Sequence, residues 1–439
     1  MVEILIGRPE YSRHERVDAL ELLGATLVDG GPGRGRDPDL PGGMVIWEAA
    51  MAERYRDADA VLHKPARVDG PVLAYNNALE VQSLDELRRL DGDRDGIWMQ
   101  ALLIEERVLG PVQTTATHIR KRGQNYLYLG DFGMFSTLSL RASDMMQHHL
   151  EPLNSITWRE LNSIIQHLFE TLGKKRQRND ICTSSVLFSC LMDVFDRAVI
   201  ELKRGMGEIV GNGETETMEV NETNKLIFFE RIMVIVLQLV SLACRMSNGL
   251  SSEEIRRVEN VLCHVVELKP RGLGGYTLLH LTCSRRASLF GEHSNLLSEF
   301  PDPAVVTMLI KAGAAVNAVD DKKNTPLHII AMSRSSEEKL NIYSSFHSRH
   351  LLLTVSNEYR VDILKILRHN GAHLDASNME RRTAMQLLQD DEEFEDGYID
   401  ISPDRYLSLQ CLAAKAIVKY GIPYQDLVPE QIRVFISMH

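Results

Sequence analysis

Asp91-Gly-Asp93-Arg-Asp95-Gly96 sets three carboxylates at alternate positions, as the opening of a calcium-binding loop does. Such a loop closes on a bidentate Glu at its twelfth position, where this chain has Leu102. The acids read instead as a helix start, where negative charge meets the positive end of the helix dipole. Gly31-Pro-Gly33-Arg-Gly35 has the glycines of a phosphate-cradling loop but lacks the Lys-Ser/Thr and the preceding buried strand. His280 and Cys283 are metal-ligand types three residues apart. Their place in Thr277-Leu-Leu-His-Leu-Thr-Cys283 gives each a structural job, His280 in a turn and Cys283 at a small core position. His148-His149 has no spaced partner. No Gly-x-Ser-x-Gly elbow, His-Glu-x-x-His helix or Cys-x-x-Cys occurs. With no nucleophile–base pair and no ligand set, the expectation is a non-catalytic protein with no metal and no cofactor.

The balance of charge narrows the partners. Lys+Arg total 49 against 61 Asp+Glu, a formal net charge of -12, which argues against a broad basic surface and a nucleic-acid partner. Lys174-Lys-Arg-Gln-Arg178 reads as a solvated helix end before a nuclear-localisation patch. Six scattered cysteines fit a reduced intracellular setting, the cytoplasm first and the nucleus second. Glu3 interrupts the short apolar run of the opening segment, so it does not read as a signal peptide. The longest apolar stretch, Ile232 to Cys244, falls short of the ~18–20 residues that span a bilayer and contains Gln238 and Ser241. A buried helix and no membrane are expected. Asn221-Glu222-Thr223 is a formal glycosylation sequon, idle without secretion.

Apolar residues recur three and four apart over Val17–Leu27, Val45–Leu62, Trp98–Leu109, Leu127–Met146, Trp158–Leu172, Val186–Leu202, Leu226–Cys244 and Ile255–Leu268, predicting an all-α chain. Polar stretches at Asp29–Gly43, Arg204–Asn224 and Asp390–Asp400 read as loops. Leu129-Gly-Asp-Phe132, with Phe135, Leu138 and Leu140, resembles the start of a tetratricopeptide helix pair. Internal repetition is the stronger signal. TLLHLTC from Thr277 returns as TPLHIIA from Thr325 and, more weakly, as TAMQLL from Thr383. Gly313-Ala314 and Gly371-Ala372 stand twelve residues before the last two. Thr325 can cap a helix and Pro326 suits its first turn, while Gly313 and Gly371 can end the preceding helices in a left-handed conformation. These phrases resemble ankyrin repeats, helix–turn–helix units of about 33 residues. Thr277, Thr325 and Thr383 are 48 and 58 residues apart, so insertions belong near Arg286–Pro303 and Ser333–Tyr359.

After the acidic stretch, Leu409, Ala413 and Ile417 fall at i, i+4 and i+8 on one apolar stripe, with Ala416 and Tyr420 beside it. Gly421 and Pro423 end that helix, and a second is predicted after Pro429 with Val428, Ile432 and Phe435 on one face. A helical pair this small packs on the repeats or offers a groove-binding surface. The segment resembles a VHL box, in which a Ser/Thr/Pro-Leu-xxx-Cys-xxx-aliphatic stretch binds elongin C and an aliphatic-Pro-xx-aliphatic stretch selects cullin-two. Ser408-Leu409 matches its opening, Ile417 its close and Val428-Pro429-Glu430-Gln431-Ile432 its second part; Ala413 stands where the general motif has Cys, and Cys411 is two residues early.

RHERVDALELLGATLVD from Arg13, MAERYRD from Met51, LDELRRLDGDRDGIWMQALLIEERVLG from Leu84, GAAVNAVDDKKNTPLHII from Gly313 and the Ser408–Pro429 segment together resemble the feminization-one (Fem) family. Its members are substrate receptors of cullin-two RING ubiquitin ligases and carry Ala at the position of Ala413. The resemblance implies a helical solenoid of tetratricopeptide-like helices and ankyrin repeats ending in VHL-box helices. It implies elongin B/C, cullin-two with its RING subunit, and protein substrates as partners. Leu409, Ala413 and Ile417 would meet elongin C, and Val428, Pro429 and Ile432 the cullin. The regions would be 1–12 (the end of an N-terminal ankyrin array), 13–110 (helical linker), 111–260 (tetratricopeptide-like), 261–392 (ankyrin-like with insertions) and 401–439 (VHL box). Val2–Ile6 reads as the last helix of the family's degron-reading array, so the chain is expected to lack that array, as a fragment or a short paralogue. Two alternatives stay open: an ankyrin scaffold without ligase function, and a competitor of full-length receptors.

Overall fold

A computed structural model describes residues 10–30, 37–65, 72–177, 184–211, 220–290, 296–333, 357–390 and 409–437. The expected array end at Val2–Ile6, the Gly31–Gly35 loop, the acidic stretch from 391, Ser408 and most of the second insertion lie outside them. The chain divides into two compact units, Met1–Glu151 and Pro152–His439.

The first unit opens with α1 (Arg13–Asp29), whose Ser12 and Glu15 form a reciprocal capping box, and which ends at Gly30 with φ 91°. Helix α2 (Leu40–Arg54) crosses α1 closely because Gly24 lacks a side chain; a Cβ there would sit 2.4 Å from the Trp47 ring nitrogen. The spacing predicts helix to Leu62, but α2 stops at Arg54. The chain doubles back instead, with Leu62 N–H donating to the Arg54 carbonyl at 3.1 Å and the Arg54 guanidinium to the Leu62 carbonyl at 2.9 Å. Arg54 is buried on Glu21 (2.8 and 2.9 Å), and Lys64, Glu80, Asp18 and Arg107 complete the ion cluster. Burial pushes the Glu21 carboxyl up, but the Arg54 hydrogen bonds and the Lys64 and Arg107 charges outweigh it, holding Glu21 below the usual carboxylate range.

Helices α3 (Leu84–Arg89) and α4 (Arg94–Leu109) finish the apolar core of this half with Leu87, Ile97, Trp98, Ala101 and Ile104 against Trp47 and Met51. Asp93 caps α4 by accepting from Gly96 N–H at 2.9 Å, the helix-start role expected of those acids. The predicted single helix over Leu127–Met146 is two, α5 (Gln113–Tyr128) and α6 (Phe132–His149), packed as a hairpin. Gly130 takes the left-handed conformation at φ 82° and Asp131 caps α6 by accepting from Met134 N–H at 2.9 Å. A local stop–start signal overrides an apolar period that runs through it.

The second unit begins with α7 (Ser155–Gln177), α8 (Ser184–Gly211), α9 (Val220–Met246) and α10 (Ser252–Glu267). The loop expected over Arg204–Asn224 is shorter, because α8 runs to Gly211 and α9 starts at Val220. Lys225 pairs with Glu208 at 2.7 Å, so the polar residues of this stretch solvate helix ends rather than break them. Asn224–Gly249 is long and apolar enough to cross a membrane by length and composition alone, longer than the 232–244 run suggested, and 72% of its 18-residue apolar stretch is buried. Its polar residues have partners inside the unit: Gln238 donates to the Ala287 carbonyl and accepts from Ser298, and Ser241 donates to Asp302 at 3.0 Å. It is the core helix of the second unit.

Three repeat units follow: α11 (Leu278–Thr282) with α12 (Pro303–Lys311), α13 (Pro326–Met332) with α14 (Asn357–His369), and α15 (Ala384–Gln389). A two-stranded antiparallel ribbon, β1 (Leu289–Phe290) with β2 (Leu296–Ser298), lies in the first predicted insertion. Thr277, Thr325 and Thr383 cap the three first helices through boxes with His280, His328 and Gln386. Each histidine then bonds the next unit, His280 Nε2 to the Asn324 carbonyl at 2.9 Å and His328 Nε2 to the Arg382 carbonyl at 3.3 Å. The turns before the helices repeat as well: Gly272 to Tyr276, Asp320 to Asn324 and Asn378 to Arg382, at 2.8, 2.9 and 3.0 Å. Asp321 N–H to the Gly274 carbonyl and Met379 N–H to the Lys322 carbonyl tie successive turns together. Gly313 and Gly371 take φ 93° and 85°, ending α12 and α14 as the sequence predicts. The class is all-α, with helical repeats stacked as in a solenoid within this unit.

Candidate docking surface

The chain ends in α16 (Leu409–Lys419) and α17 (Glu430–Ser437), which pack on each other. Helix α16 finishes in a Schellman turn: Gly421 is left-handed at φ 60°, Ile422 N–H reaches the Ile417 carbonyl at 3.0 Å and Gly421 N–H the Val418 carbonyl at 3.2 Å. The Pro429 carbonyl accepts from Arg433 N–H at 3.0 Å to start α17.

One face of the pair is seated on the repeats. Cys411 and Ala414 are 2% and 1% exposed, and Ile436 is buried from α17. Cys411 Sγ lies 3.2 Å from His373 Nδ1, Lys415 Nζ lies 3.0 Å from the buried Asp375 carboxylate, and the Phe435 ring meets the His373 ring edge-on at 5.2 Å. His373 and Asp375 sit just after Gly371, on a segment pinned by Asn317, whose side chain donates to the Gly371 carbonyl at 2.8 Å and accepts from His373 N–H at 2.9 Å.

The opposite face is bare. Leu409 is 84% exposed, Leu412 46%, and Ala413 is exposed, while Ile417 is half-buried. Thus the predicted stripe exists, and its first two members point away from the fold. Of the second predicted set, Val428 is half-buried, Pro429 exposed and Ile432 47% exposed. Phe435, expected on the same face as Ile432, turns toward His373 instead. Leu412, Val418, Ile422 and Leu427 enlarge the exposed apolar surface, and the i, i+4, i+8 reading missed them. The cue for Leu412 was its place beside the stripe, three residues after Leu409.

The chemical look-alikes elsewhere are occupied by structure. His280 is buried, its Nδ1 at 2.8 Å from the Thr277 hydroxyl and its Nε2 on Asn324, and burial lowers its pKa to about 4 despite the Asn324 hydrogen bond. Burial pushes the Cys283 thiol up strongly. His148 Nδ1 lies 2.7 Å from the Asp144 carbonyl one turn back. The side chains of Lys174–Arg178 lie outside the described set.

No family model matches the chain. It is similar to protein fem-1 homolog A of Danio rerio, 33% identical over 442 residues, covering 100% of this chain and 63% of that protein. Protein fem-1 homolog C of Homo sapiens is 32% identical over 440 residues with the same coverage. Protein fem-1 homolog A of Bos taurus is 32% identical over 431 residues, 98% of this chain and 58% of the relative. The chain therefore spans about three-fifths of the length of these curated relatives. The similarity runs from end to end of this sequence and includes the repeats and the terminal helices, and the chain belongs to the fem-1 homologue family.

Proposed function

We propose that the chain is a non-catalytic adaptor of a cullin-two–elongin B/C RING ubiquitin ligase, joining protein substrates to the ligase core. The supporting observation is the two-sided terminal helix: Cys411 and Ala414 hold it to the repeats while Leu409, Leu412 and Ala413 face outward. An apolar stripe held out on a fixed helix is what a helix-in-groove partner needs. Elongin C would take Leu409, Ala413 and Ile417, and Val428, Pro429 and Ile432 would meet the cullin. Each aliphatic side chain removed from water would contribute about 1.5–3 kcal/mol before association costs.

In this role the chain supplies proximity. A RING subunit and a charged conjugating enzyme carry out the transfer, and the adaptor raises the effective concentration of a substrate lysine near the thioester. The test is co-purification of elongin B/C with the wild-type chain and with Leu409→Arg. The wild type is expected to retain the pair and the variant to lose it, because a guanidinium would enter an apolar groove. Equal recovery of elongin B/C with both, or with neither, overturns the proposal; the latter outcome leaves the ankyrin scaffold.

A further inference from the structure

We infer that His373, Asp375 and Cys411 form a zinc-class metal site that fastens the terminal helix to the last repeats. The three residues offer an imidazole nitrogen, a carboxylate oxygen and a thiol sulfur, all within 4.8 Å of one another. A tetrahedral Zn²⁺ with Zn–S of about 2.3 Å and Zn–N and Zn–O of about 2.0–2.2 Å has donor–donor edges of roughly 3.3–3.6 Å. The Nδ1–Sγ separation of 3.2 Å is a few tenths of an ångström under the nitrogen–sulfur edge, so side-chain rotations of about an ångström bring the three donors to ligating distance. Asp375 and Cys411 are 3% and 2% exposed and His373 is half-buried, so the donors are largely shielded from solvent. The donor set mixes nitrogen, sulfur and oxygen, which suits a borderline ion such as Zn²⁺ and disfavours Ca²⁺ or Mg²⁺.

The surroundings are built to hold these donors. Asn317 fixes the backbone that carries His373 and Asp375, and the Phe435 ring fixes the imidazole plane. Cys411 comes from a different element, α16, so an ion here cross-links the helix to the stack. Without metal, Lys415 neutralises Asp375 at 3.0 Å. With Zn²⁺, the Cys411 thiol releases its proton to solvent, thiolate and carboxylate together match the ion, and the 39%-exposed Lys415 side chain swings into water. Lys415 is thus the competing cation. The consequence is a metal-dependent hold on the very helix whose far side is bare.

The experiment takes the full chain, stripped with chelator, and titrates it with Co²⁺ as a visible stand-in for Zn²⁺. A single tightly bound equivalent is expected, with a thiolate-to-cobalt charge-transfer band and the strong visible absorption of a tetrahedral site, displaced by Zn²⁺. Cys411→Ser is expected to abolish the charge-transfer band. His373→Gln and Asp375→Asn are expected to weaken binding by more than the roughly 10–100-fold of an outer-sphere loss. Lys415→Met keeps the packing of the stem and removes the competitor, so Zn²⁺ affinity should rise several-fold. Zn²⁺ should also raise the melting temperature of the wild type and leave that of Cys411→Ser unmoved. Absence of the charge-transfer band in the wild type, its persistence in Cys411→Ser, or unchanged or weaker binding in Lys415→Met overturns the site.

Discussion

Short helices in two parts of the second unit carry similar apolar content and dispose of it in opposite ways. In α11 and α13 every residue from Leu278 to Thr282 and from Pro326 to Ala331 is buried, and a histidine ties each helix to the unit after it. In α16 only Cys411 and Ala414 are buried, and Leu409, Leu412, Ala413 and Val418 face outward. The repeat helices are closed surfaces, satisfied by their neighbours. The terminal helix is closed on one side and open on the other, and a contiguous open apolar side is the kind of surface the proposed partner would cover.

If that contrast is right, substitutions on the two faces separate binding from folding. The largest effect is expected for Leu409→Arg: loss of elongin B/C in co-purification with an unchanged melting temperature, since the side chain is 84% exposed. Leu327→Ala, at a buried repeat position, should do the reverse, costing about 2–5 kcal/mol in denaturant unfolding of the second unit. Proton linkage marks the closed side. His280 is held neutral by burial with its pKa at about 4, whereas the unfolded chain's histidine titrates near 6.5. The unfolded state therefore binds the extra proton first, so this contribution is intact above pH 6.5 and falls away between pH 6.5 and 4, by about 3 kcal/mol in all. Thermal unfolding across that window should show the decline, flattened in His280→Gln. Gly371→Ala gives a smaller change: φ is 85° and the space is open, so strain alone costs about 1–2 kcal/mol by chemical denaturation. The smallest is Ile422→Ser, at an exposed position beyond the predicted stripe, which should shift stability by under about 0.5 kcal/mol. If it lowers elongin affinity, the open face is wider than the stripe.

The repeat units were legible in the sequence because their signals are local: Thr caps three residues before His or Gln, and Gly-Ala at the end of the preceding helix. The outward stripe was legible too, since a 3.6-residue period defines a face. What a period cannot say is which face is seated and which is bare. That is decided by residues far away in the chain, His373 and Asp375, and so the anchoring role of Cys411 and the inward turn of Phe435 were out of reach. The same limit explains the helix boundaries. Arg54 ends α2 because its charge is drawn to Glu21, 33 residues earlier, and no periodicity records that. The split at Gly130 was the opposite case, a local Leu-Gly-Asp break overridden in the reading by a run of apolar residues.

The core helix α9 has a consequence for how the protein is made. During synthesis this apolar segment is complete well before its polar partners exist, since Ala287, Ser298 and Asp302 all follow it. At about 5–20 residues per second that interval lasts several seconds. For those seconds α9 has only the earlier helices α7 and α8 to pack against, and the face that later meets the repeats has no cover. Gln238 and Ser241 interrupt the apolar run where it is longest, and each later becomes a hydrogen bond that closes the unit. The emergence of residues 287–302 is the earliest moment at which Gln238 and Ser241 can be paired and that last face closed.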